Sequence, residues 1–258
     1  MPVVFGPTAG PRQAPDGSRF DYSQARRETA SVSFLTDGAV LSRYLPPRCT
    51  LAGEPVVTVE HSTLFDLEWL AGRGYSLLNV KYPVEYRGDE RVSGPFLSVL
   101  WENLPEPILS GREELGYAKL FCELPPPRVL RGIRRYAAVW DGHEFMRLSI
   151  NSLAESSPPP PSKADGVLHH RYLPRVSAEA SSDIDQMVLS PSGGFSMRYV
   201  SFQRGTGSIE FIKSTWEQMP TMFHIVNALA SLPVLENRGS SLACTIGYKD
   251  LSDQRVLK

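Results

Sequence analysis

A mainly antiparallel β-structure with a few packing helices, α+β in class, is predicted by three features of the sequence. Strand-like runs rich in β-branched and aromatic residues dominate the chain. Two Gly-containing breaks divide pairs of such runs as hairpins would. Helical periodicity is confined to two short segments. Residues 1–26 are rich in Pro, Gly, Arg and Gln without hydrophobic period, and read as an arm, mobile or laid on a neighbouring subunit. The folded part, a single domain over residues 27–258, is expected to begin near Arg27. Strands are expected at Ala30–Leu35, Val56–His61, Ser76–Tyr86, Phe96–Trp101, Tyr136–Trp140, Met146–Ile150, Met197–Gln203 and Ser208–Ser214. Asp141-Gly142 suits a two-residue turn, and Arg204-Gly-Thr-Gly207 reads as a second hairpin. Asp37 is a good N-cap for a short helix that Pro46-Pro47 stop, and Met222, Ile225, Val226, Leu229 and Leu232 recur at helical spacing ahead of Pro233. The four prolines in Ser156–Ser162 read as a surface loop. So many strands would leave exposed edges unless the sheet closed or nearly closed into a barrel.

Composition narrows the function. With 27 basic and 28 acidic residues the formal charge is −1, so there is no general attraction for nucleic acid or an anionic membrane, and a small-molecule partner is expected. Three irregularly spaced cysteines, Cys49, Cys122 and Cys244, suit neither a disulfide framework nor a zinc site. A reducing, cytoplasmic location is expected. Met1–Phe5 lead into Gly, Pro and Arg without the apolar run of a signal peptide, and no stretch is long enough to span a bilayer.

The chemistry is expected between Glu102 and Leu124, ENLPEPILSGREELGYAKLFCEL. Lysine is scarce, six in the chain, and Lys119 stands between Tyr117-Ala118 and Leu120-Phe-Cys122. An ammonium in such surroundings loses hydration, whereas a neutral amine can attack a ketone. The resulting iminium is an electron sink, so loss of CO2 from a β-keto acid, or of a proton beside the carbonyl, leaves an enamine in place of a carbanion.

GREELGYAK, Gly111 to Lys119, resembles the motif of the acetoacetate decarboxylase-like family, in which GRE precedes a Tyr-Pro-Lys, and aligning the two without a gap places Lys119 on the Schiff-base lysine. Arg27-Glu28 ahead of a strand, the Asp37 helix, the Gly74-Tyr75 strand with Tyr82-Pro-Val84, and the late Gly207–Leu232 region resemble the family in order, over about 200 residues. The resemblance implies an acetoacetate decarboxylase-like barrel and a lyase acting on a small keto acid. The reaction would be decarboxylation of a β-keto acid, or condensation and dehydration of a 2-oxo acid with an aldehyde; the alternative is a non-catalytic, ligand-binding member of the fold. It further implies a homo-oligomer.

On that reading Arg27 binds the substrate carboxylate, Tyr117 lines the pocket, and Arg112 and Glu113 hold the turn around the lysine without touching substrate. Two departures stand out. Leu120 replaces the second lysine of the acetoacetate enzymes, and Leu77 stands where the family carries an active-site glutamate, so the proton-handling group is expected to be lost. Glu68 and Glu85 lie near in sequence and are read as solvated. No cofactor is expected and no metal, since His169-His170 diverge on a strand without further ligands. Gly193-Gly194 lacks the context of a phosphate loop, His224 has no relay partner, and no GxSxG elbow occurs.

Overall fold

Strand alternation sorts this chain onto two faces of one sheet. The computed structural model describes residues 3–6, 10–177, 181–194 and 197–258. Among them fourteen strands occur: β1 (Arg26–Leu35), β2 (Cys49–Leu51), β3 (Val56–Leu67), β4 (Arg73–Arg87), β5 (Arg91–Glu102), β6 (Lys119–Phe121), β7 (Arg128–Leu130), β8 (Ile133–Trp140), β9 (His143–Glu155), β10 (Gly166–Pro174), β11 (Ser182–Pro191), β12 (Arg198–Phe211), β13 (Glu236–Ile246) and β14 (Arg255–Val256). The α-helices are α1 (Gly38–Leu41), α2 (Pro105–Glu113) and α3 (Phe223–Ala230). The sheet runs β14-β11-β10-β5-β4-β3-β1-β13-β12-β9-β8-β7, with β2 beside β4 and β6 beside β5. Pairing is antiparallel except at β10–β5 and β5–β6.

Ala30, Val32 and Phe34 of β1, Val57 and Val59 of β3, and Leu78, Val80, Tyr82 and Val84 of β4 point to the main core. The sheet curls around it: Trp101 of β5 meets Phe145 of β9 with ring centroids 5.4 Å apart, and His61 of β3 meets Tyr136 of β8 at 4.8 Å, although these strands are far apart in the sheet order. Helix α3 covers this core with Val226, and Met222 just before it accepts the Trp101 indole hydrogen bond at 3.4 Å. Full burial of each such side chain is worth about 1.5–3 kcal/mol, so this face holds the fold. The opposite face carries a smaller cluster, Leu64, Leu67, Leu77, Leu97 and Leu100, roofed by Tyr22 and Ala25 from the segment ahead of β1.

Asp37 caps α1 as its sequence suggests, accepting from the amides of Ala39 and Val40 at 2.7 and 3.0 Å. Asp141 and Gly142, both at positive φ, make the β8–β9 turn. Arg204–Gly207 is not a hairpin: it lies inside the single strand β12. Its glycines serve close packing, since a Cβ at Gly205 would overlap the Asn151 carbonyl of β9 and one at Gly207 would stand 2.6 Å from the Ser149 carbonyl. Of the arm expected over residues 1–26, residues 1, 2 and 7–9 lie outside the described residues. Arg12 donates to the Leu251 carbonyl at 2.7 Å and to Gln254 at 2.8 Å, which ties this segment to the C-terminal end of its own chain. No helix among the described residues is long and apolar enough to cross a membrane.

The crossover β5–α2–β6 sets the site. A parallel pair cannot be joined by a tight turn, and α2 with the loop after it carries the chain back so that Lys119 pairs with Leu100 and Phe121 with Glu102.

Candidate functional site

The second face of the sheet floors a cavity of about 630 Å³. Its floor follows the register. Lys119 pairs with Leu100, Leu100 with Asn79, Asn79 with Glu60 and Glu60 with Ser31. Two residues along each strand, the next row reads Glu102, Leu77, Ser62 and Thr29. Arg27 follows in the row of Leu64 and Tyr75. Paired residues share a face, so β1, β3, β4 and β5 present these side chains together. Lys119, Glu102, Arg27, Glu60, Tyr75 and Tyr117 all line the cavity.

Lys119 is 5% exposed. Its Nζ lies 2.8 Å from Glu102 Oε1 and donates to the Pro107 carbonyl at 2.8 Å. The Tyr117 ring centroid is 5.9 Å from the same nitrogen. The local sequence makes this possible. Gly111, in the last turn of α2, faces the lysine side chain so closely that a Cβ would overlap Cε and Nζ. Gly116 turns the chain after α2 at φ 78°, where a Cβ would also stand 2.7 Å from Arg171 Cδ. Arg112 donates to the Lys119 carbonyl at 2.8 Å, and Arg171 to the Glu113 carbonyl at 2.8 Å. Arg112 thus fixes the backbone of the lysine itself and Arg171 anchors the GRE segment, with neither Arg112 nor Glu113 among the cavity-lining residues.

Glu102 is 1% exposed. Burial pushes its carboxyl above the usual range, against the pull of Lys119. Its second oxygen, Oε2, is buried without a hydrogen-bond partner. The Tyr117 hydroxyl bonds Ser190 at 2.8 Å and accepts from Gln254 at 3.0 Å, while its ring packs on His169 at 4.1 Å. Burial raises the phenol of Tyr117 and those of Tyr75 and Tyr248, keeping all three protonated.

The Arg27 guanidinium donates to Ser62 at 2.8 Å, lies 3.9 Å from Glu60, and keeps its buried Nε without a partner. Glu60 also receives Lys81 at 2.8 Å and Asn79 at 3.2 Å. Burial alone would raise its carboxyl, but Lys81 and Arg27 bring it down to about 2. Arg27, Lys81 and ionised Glu60 together carry one net positive charge at this part of the cavity wall.

Sequence reasoning passed over Glu102, Glu60 and Lys81. The alternation of Val57 and Val59 with Thr58 and Glu60, and of Val99 and Trp101 with Leu100 and Glu102, carries the signal that these carboxylates face away from the core. Glu85 pairs with Arg87 and Glu68 accepts the Asp21 amide, and neither lines the cavity.

Comparison with known proteins gives a family and a fold. The sequence matches the family model for acetoacetate decarboxylase over residues 1–239. No curated protein sequence matches. Among solved structures, the enduracididine biosynthesis enzyme MppR, complexed with the condensation product of pyruvate and imidazole 4-carboxaldehyde, superposes with a TM-score of 0.68 at 16% identity, over 90% of this chain and 88% of that one. The acetoacetate decarboxylase of Legionella pneumophila gives 0.67 at 17% identity over 95% and 92%. An acetoacetate decarboxylase-like enzyme from Sphingomonas wittichii RW1 gives 0.68 at 14% identity over 98% and 100%. The likeness to these structures is one of fold, and the family match spans most of the sequence: the chain belongs to the acetoacetate decarboxylase family.

Proposed function

We propose that this protein is a Schiff-base lyase of small keto acids, with Lys119 as the nucleophile. The observation that carries the reading is a buried amine facing a cavity, pressed against Gly111 and braced through its own carbonyl by Arg112. Arg27 binds the substrate carboxylate: its unpartnered Nε and the net positive charge around Glu60 favour an anion there. Tyr117 closes one wall, its hydroxyl fixed by Ser190 and Gln254.

Of the two reactions open to such a lysine, condensation and dehydration of a 2-oxo acid with an aldehyde is the one we favour. The cavity, at about 630 Å³, falls in the range that holds drug-sized ligands and has room for a second reactant. The related MppR structure holds a product of that kind, formed from pyruvate and an aldehyde. Leu120 and Leu77 stand where acetoacetate decarboxylases resemble one another in carrying a lysine and a glutamate, which weighs against efficient decarboxylation of acetoacetate.

Borohydride reduction in the presence of pyruvate or acetoacetate, followed by peptide mass mapping, tests the nucleophile. The expected adduct is on Lys119 and disappears in Lys119→Ala. Product analysis then compares CO2 release from acetoacetate with unsaturated acid formed from pyruvate and an aldehyde. Absence of any adduct across a panel of keto acids would leave the protein a ligand-binding member of the fold.

A further inference from the structure

We propose that Glu102 is the acid–base catalyst of this site, a carboxylate carried on β5 in place of the one lacking at Leu77. The inference rests on the Schiff-base reading of Lys119 and adds to it the group that moves the protons. Three observations converge. Glu102 touches the reacting nitrogen at 2.8 Å. It lines the cavity and, at 1% exposure, keeps Oε2 buried with no partner, an arrangement that costs folding free energy and gives nothing back in the unliganded protein. And Leu77 is its direct cross-strand partner on the same face. Opposed Cβ atoms lie ~4.5–5.5 Å apart, so a carboxylate on either strand reaches the same part of the cavity.

The steps balance through this one group. Glu102 takes a proton from the Lys119 ammonium, and the neutral amine adds to the substrate carbonyl. After the nitrogen proton passes to the oxygen, the carbinolamine hydroxyl leaves as water with the proton returned by Glu102, giving the iminium and a carboxylate. With pyruvate bound, that carboxylate takes a methyl proton; the C–H electron pair becomes the C=C bond of the enamine and the C=N pair moves onto nitrogen. The enamine then attacks an aldehyde carbonyl, and the same carboxyl protonates the new alkoxide. Burial suits the group to the base role, because a carboxylate whose pKa is raised takes a proton from nitrogen or carbon more readily than a solvated one.

Deuterium uptake into the pyruvate methyl group in D2O, read by NMR, isolates the carbon-proton step, and borohydride trapping reads the iminium separately. Glu102→Gln keeps the shape of the side chain and is expected to trap pyruvate on Lys119 at saturation while exchanging the methyl protons ~10²–10⁴-fold more slowly. Leu77→Glu in the Glu102→Gln background is expected to regain part of that rate by supplying the carboxylate from the opposite strand. Glu102→Asp, which retains the counter-charge to Lys119, is measured in parallel as the variant that keeps the buried ion pair; it is expected to exchange at an intermediate rate. Normal trapping with wild-type exchange in Glu102→Gln, or in Glu102→Met should the former not fold, would overturn the role of Glu102 and leave the lysine chemistry standing. No trapping in the wild type would overturn the Schiff-base reading, and this role with it.

Discussion

The amine of Lys119 lies against Gly111, with no room between them for a Cβ. This contact explains the glycine of the GRE segment: it is a floor for the lysine, not a hinge. Gly111→Ala should therefore displace the amine while leaving the helix intact, since alanine is a better helix former. Displacement by about 1 Å can cost on the order of 10²-fold in rate. The expected result is a similar melting temperature with at least that loss in the rate of borohydride-trappable adduct formation; trapping at the wild-type rate would show that the lysine finds its place without the glycine.

On the proposed reading Arg27 binds the substrate carboxylate. Replacing it with Gln removes a charge-assisted contact worth about 1.5–3 kcal/mol, so the KM for a keto acid should rise about 10–100-fold with kcat less affected. The same variant leaves Glu60 with Lys81 as its cationic partner. Steady-state kinetics on pyruvate, and on an uncharged ketone as control, separate carboxylate binding from general damage, because the control should change little.

The pH dependence of stability follows from a buried histidine. His61 is 2% exposed, its Nε2 has no partner, and burial brings its pKa down from 6.5 to about 4. Between those values the unfolded chain takes up a proton that the folded chain refuses. Stability is thus complete above about pH 6.5 and falls as the pH drops toward 4, by on the order of 3 kcal/mol for this residue. His169, also brought to about 4, adds a slope of the same sign. Thermal melts from pH 7 to pH 4 should show a steady decline that is shallower in His61→Phe.

Gly205 carries the last test. Ala at position 205 would overlap the Asn151 carbonyl of β9, so Gly205→Ala should destabilise the protein by about 1–3 kcal/mol without changing substrate trapping at Lys119. Denaturant midpoints check the first expectation and mass mapping the second.

Legibility in the sequence followed the physical origin of each feature. The Asp37 cap, the Asp141-Gly142 turn and the β-branched runs of β1, β3 and β4 are local matters, and composition reveals them. The Arg204–Gly207 segment misled because glycines that admit a neighbouring strand look like glycines that turn a chain. Helix α2 was passed over because Pro105, Pro107 and Gly111 are poor helix signals; what holds it is the burial of Pro107, Ser110 and Gly111 against the lysine strand. The site was read in one dimension. The GREELGYAK resemblance points to Lys119, but along β4 the expected carboxylate position holds Leu77, and the carboxylate beside the lysine stands one strand away at Glu102. Cross-strand registers are long-range facts, and a single sequence does not print them.

Alternation on β1 divides labour residue by residue: Ala30, Val32 and Phe34 hold the core, while Arg27, Thr29, Ser31 and Ser33 look into the cavity. The two sets share a backbone and little else, so a change in one need not be answered in the other. New specificities can arise by rewriting every second letter of a strand while the letters between keep the protein folded. A family built on such a sheet can keep its fold at 14–17% sequence identity, because the residues that face the cavity are not the ones that fill the core.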